Sequence, residues 1–326
     1  MILLGDVLDQ LRTLPDESVN CVVTSPPYWG LRDYGVEGQI GLEKTPAEYV
    51  ARMVEVFEEV RRVLRKDGTC WVNLGDSYAS DVKGSGGTGK SGLNRDGRPE
   101  EGRKKTALAA QLVQQMVPVR LQHGLKPKDL VGIPWRVAFA LQDAGWYLRS
   151  EIIWAKPNPM PESVRDRPTK AHEQIFLLTR SAKYWYDADA IAEKAQTAGE
   201  SRVTVDHGGG GYQAAAMGAK PSGNQVPGSI VVRGETRNSR TVWEIATQPY
   251  KEAHFATFPP EIPKRCILAG CPVGGVVLDP FLGSGTTAAV AIELGRKWLG
   301  IELNPEYAEL ARKRIADAQP SLLGVA

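Results

Sequence analysis

A short apolar run, C-V-V-T, leads directly into Ser25, Pro26, Pro27 and Tyr28. Each proline lacks a backbone N–H and biases the residue before it towards an extended conformation. The segment therefore presents two acceptors, the Ser25 hydroxyl oxygen and the Pro26 carbonyl, beside the flat ring of Tyr28. Acceptors for an amino group next to a stacking surface suit an extruded base with an exocyclic amine. A proline-rich edge turn with a packing tyrosine would show the same four residues.

A second pattern, V-V-L-D-P-F-L-G-S-G-T-T, consists of an apolar strand that ends in Asp279 and a glycine-rich turn. Gly283 and Gly285 fit a nucleotide-binding turn, in which one glycine permits the tight bend and another lets a ligand approach the backbone. Glu302 ends the next strand, at the separation expected of an acid that accepts hydrogen bonds from ribose hydroxyls. Alone, this pattern also fits a nicotinamide dehydrogenase, or a turn that binds nothing.

Together the two patterns resemble those of the amino-directed DNA methyltransferases, which use S-adenosylmethionine. T-S-P-P-Y is similar to that family's catalytic motif and D-P-F-L-G-S-G-T-T to its cofactor motif. The order, with the catalytic motif first, resembles the beta arrangement of the family. Further similarity lies in the stretches G-D-V-L-D-Q-L, I-I-W-A-K-P-N-P-M-P-E-S, A-H-E-Q-I, H-F-A-T-F-P and G-I-E-L-N, so that the resemblance covers residues 1–78, 130–187 and 242–318.

The resemblance implies a role for each motif residue. Ser25 and Pro26 would hold the target amine, Tyr28 would stack on the extruded base, and Pro27 completes the catalytic motif. Phe281 would pack on the cofactor adenine, and Glu302 would hold the ribose. The implied cofactor-binding set is Asp6, Thr257, Asp279, Pro280, Phe281, Gly283, Ser284, Gly285, Thr286 and Glu302, of which Asp279, Gly283 and Gly285 would line the methionine side.

The resemblance also bears on which amine is methylated. Family members with Ser before Pro-Pro-Tyr mostly act on cytosine N4, and those with Asp or Asn mostly on adenine N6, so Ser25 favours cytosine. Adenine N6 stays the alternative, because a serine hydroxyl and a carboxylate could each hold an amine. Methylation of a cytosine ring carbon is rejected. The enzymes that catalyse it use a cysteine nucleophile in a Pro-Cys-Gln motif, and none of Cys21, Cys70, Cys266 and Cys271 lies in such a motif.

Strands that alternate with helices predict an α/β fold with a doubly wound, mostly parallel sheet, here of the S-adenosylmethionine-dependent methyltransferase type. Thr45 begins a capping box, and Gly68 is expected to end its helix. Residues 2–4 would supply the strand that the last helix lacks, which makes the sheet circularly permuted. The predicted strands are 2–4, 20–25, 69–74, 148–154, 174–179, 275–279 and 298–301, and the predicted helices are 7–14, 46–67, 134–144, 286–294 and 305–318.

Two irregular segments rich in Gly, Ser and charge interrupt this pattern and are expected to be inserted DNA-recognition segments. The expected regions are 1–80 (catalytic half), 81–129 (basic insertion), 130–189 (the sheet continued), 190–241 (glycine-rich insertion) and 242–326 (cofactor-binding half). Between Lys83 and Lys128 ten basic and three acidic residues leave a charge of +7, whereas the whole chain carries +2. Such a run suits either a solvated loop or contact with DNA phosphates.

The expected DNA contacts are Lys83, Lys90, Arg103, Lys104, Lys105, Arg165 and Arg167, and either insertion would read base edges in the major groove. A phosphate-loop pattern at 84–91 lacks the adjoining strand and helix that an ATP site requires. A flexible basic loop near DNA is the preferred interpretation of that segment.

Composition limits the remaining classes of protein. With 42% hydrophobic and 24% charged residues the chain is typical of a folded protein, and its apolar runs are too short to cross a membrane. Neither cysteines nor histidines show metal-ligand or disulfide spacing, and the first residues lack a secretory signal, so a cytoplasmic protein without a metal is expected. The expected partners are double-stranded DNA and a companion restriction endonuclease. A non-catalytic DNA-binding protein and an RNA or protein amine methyltransferase stay alternatives.

Overall fold

The computed structural model describes residues 1–79, 124–195, 204–205, 230–231, 236–248 and 258–318. The chain divides into two compact units, a larger one of Met1–Tyr186 with Thr241–Ala326 and a smaller one of Asp187–Arg240. Both sequence motifs, at 24–28 and 279–287, belong to the larger unit.

The first part of the larger unit consists of β1 (Ile2–Leu4), α1 (Val7–Arg12), β2 (Val19–Thr24), α2 (Pro46–Val63) and β3 (Leu64–Leu74). Polar side chains cap both helices, and the cap at Thr45 confirms the predicted start of α2. Asp6 accepts a hydrogen bond from the backbone N–H of Leu8 at 2.9 Å, and Thr45 accepts one from that of Glu48 at 3.1 Å. Each cap satisfies a donor that has no partner within its helix.

The prediction that Gly68 ends α2 is wrong. The helix ends at Val63 and β3 begins directly at Leu64, so that Gly68 lies within the strand. A Cβ atom at position 68 would lie 2.6 Å from Leu64 Cδ1 and 2.9 Å from the carbonyl oxygen of Asn20. Close packing against the neighbouring strand therefore explains this glycine.

The middle of the larger unit contains α3 (Ile133–Asp143), β4 (Tyr147–Ala155) and β5 (His172–Thr179), each within two residues of its predicted bounds. Gly132 precedes α3 with φ at +76° and supplies no capping side chain. Asp76, just beyond β3, takes that role by accepting from the backbone N–H groups of Gly132 at 3.0 Å and Ile133 at 3.1 Å. The start of α3 is thereby fixed to the end of β3.

The smaller unit contains two pairs of very short antiparallel strands. β6 (Glu193–Lys194) pairs with β9 (Thr236–Arg237), and β7 (Thr204–Val205) pairs with β8 (Ile230–Val231). Within this unit the Glu193 carboxylate forms ion pairs with Arg237 at 3.3 Å and Arg240 at 3.0 Å. The sequence predicted none of these strands, because two residues are too few to show an alternating pattern.

The remaining elements of the larger unit are β10 (Val242–Glu244), α4 (Glu261–Gly270), β11 (Val276–Asp279), α5 (Thr286–Glu293), β12 (Lys297–Glu302) and α6 (Pro305–Ala318). The sequence analysis missed β10 and α4. Pro263 makes the sequence of α4 look interrupted, but it lies in the first turn, where a proline removes no intrahelical hydrogen bond. Asn304 caps α6 by accepting a hydrogen bond from the backbone N–H of Glu306 at 2.8 Å.

The sheet has the strand order β1-β12-β11-β2-β3-β5-β4-β10. Its neighbouring strands are parallel except where β5 pairs with β3 and β4. At one edge β1 pairs with β12, with Leu3 opposite Ile301. This pairing confirms that the N-terminal strand completes the sheet beside the C-terminal motif, and it confirms the predicted circularly permuted, doubly wound fold.

The strand order changes direction between β11 and β2. From β11 the chain continues through β12, whose other neighbour is β1, whereas from β2 it continues to β3 on the opposite side. Ligands of such sheets bind beyond the carboxyl ends of the strands at this point. Both strands are buried along most of their length, as expected where helices cover both faces. In the described ranges no helix is long and apolar enough to cross a bilayer.

The last residue of α4 packs tightly on the sheet and gives a first prediction. A Cβ atom at Gly270 would lie 2.3 Å from Thr69 Oγ1 and 2.6 Å from Trp71 Nε1. We expect Gly270→Ala to lower the free energy of unfolding by about 1–3 kcal/mol, the usual cost of overpacking a core, as measured by urea denaturation. The control is Gly295→Ala, whose added methyl group meets nothing within 4 Å and which carries only the strain of its φ of +70°. A free energy of unfolding for Gly270→Ala equal to that of wild type would contradict the prediction.

Candidate active site

The carboxyl ends of β2 and β11 bring the two sequence motifs together. Leu278 of β11 lies opposite Val22 of β2 in the parallel register. At the strand ends the Thr24 hydroxyl donates a hydrogen bond to Asp279 Oδ1 over 2.7 Å, joining residues 255 positions apart in the chain. The catalytic and cofactor motifs predicted from the sequence are therefore direct neighbours.

Asp279 directs its hydrogen bonds into the protein. Its carboxylate accepts from the Thr287 hydroxyl at 2.7 Å and from the backbone N–H of Phe281 at 3.0 Å, in addition to Thr24. Burial raises the pKa of Asp279 to about 6, although the bonds from Thr24 and Thr287 act in the opposite direction. The residue lines the cavity described below, but its oxygens mainly tie together β2, the glycine-rich turn and α5.

Glu302, at the end of β12, is held against the glycine-rich turn. Its two oxygens accept from the backbone N–H groups of Gly283 and Asn304, each at 2.8 Å. Burial raises the pKa of Glu302, partly opposed by these two hydrogen bonds. The carboxylate is thus fixed in orientation at the wall of the cavity, with further lone pairs available to a hydroxyl donor.

Gly285, which the resemblance places on the methionine side of the cofactor, does not line the cavity, and that role stays a prediction. It precedes α5 with φ at +81°, and a Cβ atom there would lie 3.1 Å from Ala311 Cα in α6. Its conformation and the close approach of α6 explain the glycine. Ser284 and Thr286, which do line the cavity, receive hydrogen bonds from Arg314 at 3.1 Å and 2.8 Å.

A cavity of about 610 Å³ opens beyond these strand ends. It brings together most residues that the sequence analysis assigned to catalysis and to the cofactor. Those lining it are Asp6, Ser25, Pro26, Pro27, Tyr28, Asp279, Pro280, Phe281, Gly283, Ser284, Thr286 and Glu302. Thr257 lies outside the described residues.

The catalytic motif is held rigidly at one side of this cavity. The Pro27 carbonyl accepts a hydrogen bond from the hydroxyl of buried Tyr49 in α2 at 2.8 Å. The Tyr28 ring passes so close to Gly75 that a Cβ atom there would lie 2.4 Å from Tyr28 Cε2. A side chain at position 75 would therefore displace the ring from its place.

Three further polar residues contact this motif, and the sequence analysis assigned them no role. Asn73 is the last residue but one of β3, Glu173 lies in β5 and Lys156 follows β4, and all three line the cavity. Tyr28 Oη donates to Glu173 Oε2 at 2.7 Å, and Asn73 Nδ2 donates to the same oxygen at 3.1 Å. Lys156 forms an ion pair with the other oxygen of Glu173. The only sequence signal was their place in the stretches W-V-N-L-G, W-A-K-P and A-H-E-Q-I.

The opposite wall of the cavity suits a purine and its ribose. Tyr34 and Tyr307 form an edge-to-face pair with ring centroids 6.2 Å apart, and both line the cavity with Phe281, Ile301 and Glu302. Aromatic and aliphatic surface provides packing area for a heteroaromatic ring, and a fixed carboxylate provides acceptors for ribose hydroxyls. These residues fit the adenosine part of S-adenosylmethionine.

The expected DNA contacts lie mostly outside the described residues, including Lys83, Lys90 and the run Arg103, Lys104 and Lys105. Of the two described, Arg165 is exposed. Arg167 instead pairs with Glu162 at 2.6 Å and lies 3.7 Å from the centroid of the Tyr78 ring, so its guanidinium already has protein partners. In the described part of the chain no cluster of three or more histidine, cysteine or acidic residues could hold a metal ion.

Comparison with known proteins agrees with this geometry. Residues 19–313 match the model of the N6/N4 family described as DNA methylase. The type II methyltransferase M.Cfr9I of Citrobacter freundii is 46% identical over 322 residues, which are 99% of this chain and 89% of that protein. The cytosine-N4-specific PvuII DNA methyltransferase superposes with a TM-score of 0.59 at 18% identity, covering 97% of this chain and 90% of that one. A structure described as a putative DNA modification methylase from Thermus thermophilus, in complex with S-adenosyl-L-methionine, superposes with a TM-score of 0.55 at 23% identity. The match covers 98% of this chain and 96% of that one.

The sheet, its direction change and the cavity define an S-adenosylmethionine-dependent methyltransferase. Within that class the chain belongs to the amino-directed DNA methyltransferases, the family of N6 and N4 DNA methylases. Its cofactor is S-adenosylmethionine.

The raised pKa of Asp279 gives a prediction about pH. Because the folded-state pKa, about 6, is above the ordinary value of 3.8, its contribution to stability is present below pH 4 and is lost as the pH rises through 6. Asp279→Asn cannot titrate, so we expect its stability relative to wild type to increase from pH 4 to pH 7 by up to about 3 kcal/mol. Urea denaturation at several pH values measures this difference. Exposed Asp317→Asn is the control, and a difference for Asp279→Asn that does not change with pH would contradict the prediction.

Proposed function

We propose that this DNA methyltransferase transfers a methyl group to the exocyclic N4 amine of cytosine in double-stranded DNA. The observation that carries the proposal is that Ser25 and Tyr28 line the same cavity as Phe281 and Glu302. An amine acceptor and a stacking ring therefore adjoin the cofactor site. The choice of cytosine depends on Ser25, the residue type that in this family mostly accompanies cytosine. Adenine N6 is the second candidate, because the same acceptors suit its amine.

In the proposed mechanism Ser25 Oγ and the Pro26 carbonyl accept hydrogen bonds from the two N–H groups of the target amine. These bonds favour a pyramidal nitrogen, whose lone pair is then less delocalised into the ring. S-adenosylmethionine, when bound, supplies an electrophilic methyl group on a sulfonium. Transfer would form a nitrogen–carbon bond and break the donor's carbon–sulfur bond, and one proton of the amine held by Ser25 and Pro26 would pass to solvent. The protein's contribution is alignment and electrostatics.

The target amine is inaccessible inside a duplex, so the base has to be extruded into the cavity, where Tyr28 would stack on it. In the cofactor site we assign Phe281 to the adenine, Glu302 to the ribose, and Gly283 and Asp279 to the methionine side. The insertions 81–129 and 190–241 would contact DNA, the first through phosphates. Thr257 and Asp6 complete the proposed cofactor set.

Similarity to type II methyltransferases supports a place in a restriction-modification pair, in which a companion endonuclease cuts the same sequence when it is unmethylated. A cytoplasmic location is proposed because the DNA substrate and the methyl donor are found there. The four cysteines are free and buried, which fits a reducing compartment.

The target base can be tested directly by the product. Incubation with unmethylated DNA and labelled S-adenosylmethionine, followed by digestion to nucleosides and mass analysis, is expected to yield labelled N4-methylcytosine. Tyr28→Ala should reduce the rate about 10- to 100-fold, since base–aromatic stacking contributes about 1–3 kcal/mol. Tyr147→Ala is the control, because Tyr147 is exposed at the start of β4 and does not line the cavity. Labelled N6-methyladenine would overturn the choice of base and leave the chemistry intact.

The basic insertion gives a prediction about salt. If Arg103, Lys104 and Lys105 contact three phosphates, replacing them with alanine should reduce the slope of log affinity against log salt by about 2.7 and weaken binding to all DNA sequences alike. Fluorescence anisotropy at several salt concentrations measures the slope. A triple replacement of Lys264, Lys297 and Lys313, which are exposed and do not line the cavity, removes the same charge. Equal slopes in the two triple variants would exclude a specific role for the insertion.

A further inference from the structure

The proton of the Ser25 hydroxyl has two acceptors inside the protein. Tyr28 Oη lies 3.3 Å from Ser25 Oγ, and Asn73 Oδ1 lies 3.5 Å from it. A hydroxyl group carries one proton and two lone pairs. When the proton is donated inwards, the lone pairs of Ser25 Oγ stay available to a donor in the cavity. The surroundings therefore prepare Ser25 as an acceptor.

Tyr28 continues this chain of hydrogen bonds. Its hydroxyl lies 2.7 Å from Glu173 Oε2, closer than the 3.2 Å to Asn73 Oδ1. Burial, followed by the charge of Glu173, raises the pKa of Tyr28, so the phenol keeps its proton and donates it to the carboxylate. The resulting order of donation is Ser25 to Tyr28 to Glu173.

Glu173 is itself fixed in place. Its Oε2 also accepts from Asn73 Nδ2 at 3.1 Å, and its Oε1 pairs with Lys156, whose Nζ lies 4.2 Å from the centroid of the Trp154 indole. The side chains of Lys156 and Glu173 are only 18% and 15% exposed. An ordered negative charge therefore lies two hydrogen bonds away from Ser25 Oγ.

We propose that Glu173 is a positioning residue that strengthens Ser25 as the acceptor for the target amine. Hydrogen bonds in a chain polarise one another, most of all in a buried setting and towards an ionised acceptor. A serine hydroxyl alone is a weaker acceptor than a carboxylate. Through Tyr28, the charge of Glu173 increases electron density at Ser25 Oγ and also fixes the Tyr28 ring. The inference rests on the roles proposed above for Ser25 and Tyr28.

A purely structural role for Glu173 makes a different prediction. If Glu173 acted only through its ion pair with Lys156, it would hold β4 and β5 together. Its replacement would then reduce the stability of the protein and its affinity for the cofactor along with the methylation rate. As a positioning residue it would affect the rate through Tyr28. The two roles are therefore distinguished by whether the effect of Glu173 depends on the Tyr28 hydroxyl.

The test is a double-mutant cycle with Glu173→Gln, Tyr28→Phe and the double variant. Tyr28→Phe keeps the ring and removes only the hydroxyl. In single-turnover methylation with labelled S-adenosylmethionine, we expect Glu173→Gln to reduce the rate about 10- to 100-fold, the usual range for losing a hydrogen bond to a charged group. In the Tyr28→Phe background the same substitution should reduce it several-fold less, because only the longer contact through Asn73, whose Oδ1 lies 3.5 Å from Ser25 Oγ, then connects Ser25 to Glu173.

Calorimetric binding of S-adenosylmethionine is the second measurement and should change less than about threefold in each variant, whereas the rate falls. Glu59→Gln is the matched control. Like Glu173, Glu59 is a partly buried glutamate in an ion pair, here with Arg62 at 2.8 Å, but it does not line the cavity. Its rate should stay within about twofold of wild type. If Glu173→Gln fails to fold, Glu173→Asp replaces it in the cycle. Its effect on the rate is likewise expected to depend on the Tyr28 hydroxyl.

Two results would overturn the inference. One is an equal effect of Glu173→Gln with and without the Tyr28 hydroxyl. The other is a loss of cofactor affinity as large as the loss of rate. Absence of any methylated base with the wild-type protein would instead contradict the proposed function, so the two failures are distinguishable.

Discussion

The parallel pairing of β2 with β11, closed by the hydrogen bond from Thr24 to Asp279, is the constraint on which the rest of the site depends. It places a segment that presents acceptors beside a glycine-rich turn whose backbone N–H groups at Phe281 and Gly283 are held by Asp279 and Glu302. A carboxylate buried at this point is costly, and the donors from Thr24, Thr287 and Phe281 offset that cost. The same donors fix the geometry of the turn, so that one buried group links the fold to the cofactor site.

Sequence alone predicted the parts of the site that are continuous in the chain. Ser25–Tyr28 and 279–286 are short segments whose residue types define their conformation, and the structure places all but Gly285 at one cavity. Asn73, Glu173 and Lys156 were not predicted, because they come together only through the antiparallel pairing of β5 with β3 and β4. The pairing of strands that are far apart in the chain leaves no local pattern in the sequence from which their register could be predicted.

The incorrect expectation about the end of α2 concerns a glycine, Gly68, and Gly285 illustrates the same physical constraint. A glycine marks a place where a side chain does not fit, but the sequence does not show what occupies the space. At Gly68 it is Leu64 and the backbone of β2, not the end of a helix. At Gly285 it is Ala311 of α6. Helix ends and ligand contacts inferred from glycine therefore need the packing around them.

The hydrogen-bonded network beside Ser25 has a consequence for how the target base is inferred from this motif. If the acceptor strength of residue 25 depends on its neighbours, a serine with a buried carboxylate two bonds away and a serine without one are chemically different groups. The residue before Pro-Pro-Tyr then does not define the chemistry alone. Residues of β3, β4 and β5 line the cavity beside the motif, and their shape and charge define the chemistry of the site together with the motif. Base preference in such a site is a property of the assembled sheet end.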